Sequence, residues 1–420
     1  MKGITELALP FLLGVLSFVR LPLVGALGLD EILFLLIAPF YLNRVLSVLR
    51  LPAFRSMFLL GLGYFLSLII ADIYRDTPTE DFIRGWARVG ITLSSFILLA
   101  PILFDKARAV PAFLIGWCLS SLGSVLIKGA QIDDMSYLYK MHIGASVSAA
   151  AFLAVGYSRG PLRRAARFLP LLAGGIAFLL NCRSLAGVTL LTHAVNTVAA
   201  DRNFNVKDAL RPAKTKARVA LVIVLVCSAG LGIFQFYKYA VAQGFLGEGP
   251  RETYEMQIAS SQSGQFTVLV GRWDQLYTWP KIMESPIIGH GSWAKDFDYV
   301  MSRAGELGMD PALVGVEEQK GLVPAHSHIT GGWLEAGILG GIFWIIALWR
   351  AMRLVIREDT VLFRRLAPLM TFLLMRFAWD VLFSPYGGAG RLWSGFMLAW
   401  IAWTETQTHS AENGAIDAGK

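Results

Sequence analysis

Pro286-Ile287-Ile288-Gly289-His290-Gly291 and, further on, His326-Ser327-His328-Ile329-Thr330-Gly331-Gly332-Trp333-Leu334-Glu335-Ala336-Gly337 belong to one stretch, Gly271 to Gly341. It opens with Gly271-Arg272-Trp273-Asp274 and contains His290, His326 and His328. Most of it is polar, in a chain otherwise made of apolar runs. One such run precedes it, near 218–237, and another closes it, near 328–349. Each is long enough for a hydrocarbon core of about 30 Å. A polar segment between two such runs is a loop outside a bilayer.

Working outward, the same pattern repeats. The chain is 55% hydrophobic and only 16% charged, with a mean hydropathy of +0.55, whereas soluble domains carry about 25% charged residues. Apolar runs lie near 4–19, 29–43, 54–71, 87–104, 109–127, 143–158, 166–181, 184–200, 218–237, 328–349, 363–383 and 389–404. The predicted fold is therefore all-α and polytopic, with about 12 transmembrane helices. Residues 1–237 hold the first nine spans, 238–327 form one large loop, and 328–405 hold the last three. The polar tail, 406–420, is expected to be disordered. Met1-Lys2 before an apolar run has the outline of a secretory signal, but no small-x-small cleavage site follows.

The net charge of +8 does not point to nucleic acid, because the basic residues sit in short loops and no aromatic-and-basic motif accompanies them. Arg44, Arg50 and Arg55, then Arg159, Arg163, Arg164 and Arg167, then Arg350, Arg353 and Arg357 fall on one side of the alternation. Asp72, Asp76, Glu80 and Asp81, then Asp133 and Asp134, fall on the other. The positive-inside rule places both termini in the cytoplasm and the 238–327 loop outside. Cys118, Cys182 and Cys227 lie in or beside apolar runs, with no CxxC pair. They suit small buried hydrophobes better than a disulfide framework or a metal site.

On the outer face this topology gathers Arg183, at the turn between the seventh and eighth spans, with Arg272 in the loop and His326 just before the tenth span. An arginine at a membrane surface is a natural diphosphate ligand, being planar, permanently charged and bidentate. A nearby histidine exchanges protons close to neutral pH. Together they describe a site for a phosphate-linked lipid substrate. Each also has a plainer reading: snorkelling for Arg183, a surface charge for Arg272, a loop histidine for His326. Arg376 and Asp380, four residues apart in the eleventh span, are placed to neutralise each other.

The Gly271-Arg272 segment, the Pro286–Gly291 turn, and His326-Ser327 followed by Glu335, Gly337 and Gly340 resemble the signature region of the O-antigen ligase and polymerase superfamily of integral membrane glycosyltransferases. Arg183-Ser184 ahead of an apolar run resembles that family's inter-helix arginine. Twelve spans with a large loop between the ninth and tenth are similar to its topology. The resemblance implies metal-independent transfer of a glycan from undecaprenyl diphosphate, at the periplasmic face of the bacterial inner membrane, with no cofactor. Carried over position by position, Arg183 and Arg272 would hold the donor diphosphate and stabilise it as leaving group, and His326 would activate the acceptor hydroxyl. Many members have His-Asn where this chain has His326-Ser327; His328 follows and is a second candidate for the acceptor-side role. Weaker substrate-binding candidates are Glu335, Arg391, Lys140 and His142. For a ligase the acceptor is lipid A-core; for a polymerase it is another lipid-linked repeat. A flippase of lipid-linked sugars is the alternative from a different class.

Overall fold

The computed structural model describes residues 2–21, 26–104, 106, 108–128, 135–200, 235, 238–245, 248, 251, 254–255, 274–306, 318–356, 365–387 and 390–418. The chain runs α1 Lys2–Leu16, a short antiparallel hairpin pairing Arg20–Leu21 with Leu27–Gly28, α2 Leu29–Leu49, α3 Pro52–Tyr74, α4 Thr79–Leu103 and α5 Ala109–Lys128. Next come α6 Met135–Leu138, a π-helical turn Tyr139–Ile143, α7 Gly144–Tyr157, α8 Pro161–Ala166, α9 Leu169–Leu179 and α10 Arg183–Ala200. After the described residues resume come α11 Asp274–Glu284, α12 Phe297–Glu306, α13 His328–Ala336, α14 Ile338–Ile356, α15 Ala367–Phe383 and α16 Arg391–Ala418.

Among the described residues, five helical segments are long and apolar enough to cross a bilayer: Leu29–Leu49, Pro52–Tyr74, Thr79–Leu103, Ala109–Leu126 and Ile338–Val355. The protein is an all-α membrane protein. Its side chains sort accordingly. Phe54, Phe96, Phe343, Trp344, Phe377 and Trp400 are buried where α3, α4, α14, α15 and α16 meet. Phe40, Leu36, Ile70 and Leu126 point outward from their helices, which water would penalise and hydrocarbon does not. Pro52 starts α3 with φ already set for a helix. At 23 residues, α3 is roughly 35 Å long.

α3 and α14 pack side by side and antiparallel. Near the start of α3, the Arg350 guanidinium donates to the Ala53 carbonyl at 3.2 Å and to the Ser56 hydroxyl at 2.8 Å. Towards the other end, the Ser67 hydroxyl donates to the Ala336 carbonyl at 2.7 Å. The bundle thus has a Pro52 end and an Asp72 end.

The run 328–349, expected as one helix, is two. Gly337 adopts φ +66 and turns the chain, so that α13 folds back along the first turns of α14. A Cβ at Gly337 would overlap the Ile287 carbonyl oxygen, and one at Gly340 would overlap the Gly332 carbonyl oxygen; only glycine permits either approach. The break is held by the Pro286–Gly291 turn. His290 N donates to the Leu334 carbonyl at 2.8 Å and Gly291 N to the Glu335 carbonyl at 2.9 Å, satisfying two carbonyls that the helix end leaves without an intrahelical partner.

Two other expectations change. The tail predicted to be disordered continues α16 to Ala418; Thr404, Thr406 and Thr408 each return a hydroxyl bond to the carbonyl four residues back, and no proline interrupts it. The segment Asp274–Glu284, expected as part of one polar loop outside the bilayer, is a helix. Its apolar face packs on protein: Tyr277 and Ile282 cluster with Val300, Val323 and Leu334. The run 218–237 lies outside the described residues apart from position 235.

Candidate functional site at the Asp72 end

At this end α13 is tied to α4 by a buried ion pair between Arg88 and Glu335. Arg88 Nη1 also donates to the Tyr386 carbonyl at 3.0 Å. The guanidinium carbon lies 5.2 Å from the Trp293 ring centre and 5.1 Å from that of Tyr386. The free Glu335 oxygen accepts from Trp293 N at 3.3 Å. Burying two charges is costly unless their remaining valences are met; here carbonyl, amide and two aromatic faces meet most of them. The Tyr386 hydroxyl donates to Thr92 Oγ1 at 2.5 Å.

The segment 285–296 is then fastened over the end of α3 and α4. Asp72 accepts from Ser292 N at 2.6 Å, from Ser292 Oγ at 2.8 Å and from Trp86 Nε1 at 2.8 Å. Arg75 Nε donates to the Gly289 carbonyl at 3.2 Å, and Lys295 Nζ to Asp81 at 2.6 Å. Behind this, Lys281 bridges Asp296 at 2.6 Å and Glu284 at 2.5 Å. Burial works against the Lys281 charge, but the two carboxylates outweigh it and raise its pKa; the same contact lowers that of Asp296. His290 Nε2–H donates to the Lys281 carbonyl at 2.8 Å, and burial lowers the His290 pKa. Asp72 and Asp81, two of the acidic residues that marked one side of the sequence alternation, are the docking posts for this segment.

His326 is half-buried and immediately precedes the residue that positions it. Ser327 is the N-cap of α13: its Oγ accepts from Ile329 N at 3.2 Å and Thr330 N at 3.4 Å, and donates to the Val381 carbonyl at 3.0 Å. That bond pins the start of α13, and His326 with it, to the C-terminal end of α15. Arg183, also half-buried, opens α10 after a Schellman turn. Asn181 sits at φ +56, its N–H reaching the Phe178 carbonyl at 3.0 Å, while Cys182 N reaches the Ala177 carbonyl at 2.8 Å. α10 packs on α15, and Asn196, near its C-terminus, donates to the Pro368 carbonyl at the start of α15, 3.2 Å away. The antiparallel pair therefore carries Arg183 towards the end of α15 where Ser327 docks. Arg272 lies outside the described residues, which resume two positions later in α11. That helix lies against α13, Trp279 edge-on to Trp333 at 5.8 Å, with the Thr278 hydroxyl donating to the Pro324 carbonyl.

The remaining candidates have other surroundings, two of them inside the Arg88 cluster itself. His328 is buried between Trp344, at 4.6 Å, and Tyr386, at 5.0 Å. It packs as an interior ring rather than an acceptor-facing base. Glu335 neither orients a histidine nor caps a helix; it neutralises Arg88. Arg391 is buried, with Nε and Nη2 on the two Glu31 oxygens at 2.7 and 2.8 Å and Nη2 on the Ala26 carbonyl at 2.9 Å. Arg20 reaches the same carboxylate at 3.1 Å. This geometry leaves Arg391 poorly disposed towards a phosphate. Lys140 is exposed on the π-helical turn, and His142 Nδ1 lies 3.0 Å from Ser124 Oγ of α5, away from α13. Arg376 lies 3.7 Å from Asp380, which also accepts from Ser384 Oγ at 3.0 Å. Arg88 escaped the sequence reading, although a lone arginine inside the run 87–104 is the kind of intramembrane charge that marks a built interior.

Comparisons with protein-family models, curated proteins and solved structures return no match to this chain.

Proposed function

We propose that this protein is an O-antigen ligase-like glycosyltransferase, moving a glycan from undecaprenyl diphosphate to an acceptor hydroxyl of lipid A-core at the periplasmic face of the bacterial inner membrane. The reading includes twelve spans and cytoplasmic termini. The observation that carries it is the meeting of the two segments behind the resemblance. The turn 286–291 and the helix 328–336 bond backbone to backbone, and the Ser327 cap holds His326 at the edge of that unit, at the end of α15 towards which α10 carries Arg183. The departure from His-Asn has a physical reason: serine and asparagine are equivalent N-caps, and capping α13 is what Ser327 does.

In the proposed reaction, His326 accepts the proton of the acceptor hydroxyl as its oxygen attacks the anomeric carbon. The bond from that carbon to the phosphate oxygen breaks, and undecaprenyl diphosphate leaves with the electron pair. Arg183 and Arg272 stabilise the charge that develops on it. A polymerase uses the same chemistry with a lipid-linked glycan as acceptor. The experiment is a strain carrying His326→Ala or Arg272→Ala. Lipid-linked glycan accumulates, glycan on lipopolysaccharide disappears, and membrane abundance stays normal. An unchanged lipopolysaccharide ladder in both strains overturns the site. Loss of chain length alone, with single repeats still attached, moves the assignment to the polymerase.

A further inference from the structure

The Pro52 end of the bundle has a cleft of its own, about 530 Å³, lined by Pro52, Ala53, Arg55, Leu59, Trp349 and Arg353 together with the Arg350–Glu405 pair. That size lies in the range of small-molecule sites, roughly 300–1,000 Å³. Its charge is three guanidiniums against one carboxylate. The carboxylate is already engaged: Arg350 lies 3.4 Å from Glu405 while tying down Ala53 and Ser56. Arg55 is exposed, and Arg353 stands over the Trp349 ring at 4.7 Å. Neither has a carboxylate partner among the described residues. α3 also begins here. Its N-cap, Leu51, offers no side-chain bond, and Pro52 and Ala53 of its first turn line the cleft, which puts the positive end of the helix at this wall.

We propose that this cleft binds the phosphate of an anionic phospholipid headgroup. A phosphate suits two guanidiniums that have no carboxylate partner among the described residues, beside a helix start without a side-chain cap. The lipid is favoured over a free anion by the rim: Leu59 and Trp349 are exposed beside the arginines, giving acyl chains an apolar wall and the interface a tryptophan anchor. The site is separate from the Asp72 end and does not depend on the transferase reading.

The test is native mass spectrometry of the detergent-purified full-length protein, offered phosphatidylglycerol and phosphatidylcholine in equal amounts. Wild type retains phosphatidylglycerol selectively. Arg55→Gln with Arg353→Gln lowers that retention by about thirtyfold, at about fivefold per arginine. Arg350 is left in place because it joins α3 to α14. The control is Arg163→Gln with Arg164→Gln, on the exposed surface of α8, which keeps the preference. Equal loss in the control, or no loss in the cleft variant, overturns the proposal. Complete displacement of lipid by millimolar inorganic phosphate also overturns it, by assigning the cleft to a free anion.

Discussion

Arg88, Glu335 and His328 form a residue-scale unit with a definite energetic signature. Removing one member of a buried ion pair leaves an uncompensated charge and costs about 3–5 kcal/mol. Glu335→Ala is therefore expected to lower thermal stability sharply in detergent, whereas Arg88→Met with Glu335→Leu recovers most of the loss. A double variant no more stable than the single one contradicts the pairing. His290 adds a pH dependence. Burial lowers the pKa of His290, in the outer loop, below the ordinary 6.5, so the unfolded chain binds the extra proton and the contribution of His290 to stability is lost as pH falls below 6.5. Asp296, lowered from 3.8, acts only at more acid pH. Unfolding midpoints of wild type and His290→Asn on acidification from neutral pH check the sign: the variant falls less.

At the scale of elements, the joint between α13 and α14 depends on two glycines. Gly337→Ala places a methyl group on the Ile287 carbonyl and Gly289→Ala places one on that of Glu335, both at positive φ. Each is expected to cost several times the ~1 kcal/mol of an ordinary backbone penalty and to release the 286–291 turn. Gly305→Ala, in α12 with open space around its Cα, is neutral or slightly stabilising. Comparable unfolding midpoints for the Gly337 and Gly305 variants contradict this account. The joint also shows what sequence carries and what it does not. The apolar run 328–349 was visible, but hydropathy has no term for Gly337 at φ +66; that follows only once the 286–291 turn is seen lying against it. His326 and Arg183 stood out by type and position. Arg88 and Glu335, 247 residues apart, became a pair only through the packing of α4 on α13.

For the whole molecule, antiparallel packing of α3 with α14 agrees with the alternation of charge read from the sequence. Arg55, Arg350 and Arg353 share the Pro52 end, while Asp72 and Asp81 share the other. The proposed orientation predicts that a reporter fused near residue 290 reads periplasmic and one near 210 cytoplasmic; the opposite result overturns it. Helical class and membrane character followed from composition and run length, since both are sums over many residues. Of the interior ion pairs, Arg376–Asp380 was legible from its spacing of four; Arg88–Glu335 and Glu31–Arg391 were not, because each depends on one contact between distant segments.

The Glu31–Arg391 pair has a consequence for biogenesis. Its members are 360 residues apart, which at about 5–20 residues per second is roughly 20–70 s of translation. During that interval Glu31 is already in place at the start of α2 and has only Arg20 beside it. The last long helix to be synthesised is thus the one that completes its neutralisation. A nascent chain halted before Arg391 leaves the Glu31 carboxylate with Arg20 alone, so the joint between the two ends of the chain closes only when α16 arrives.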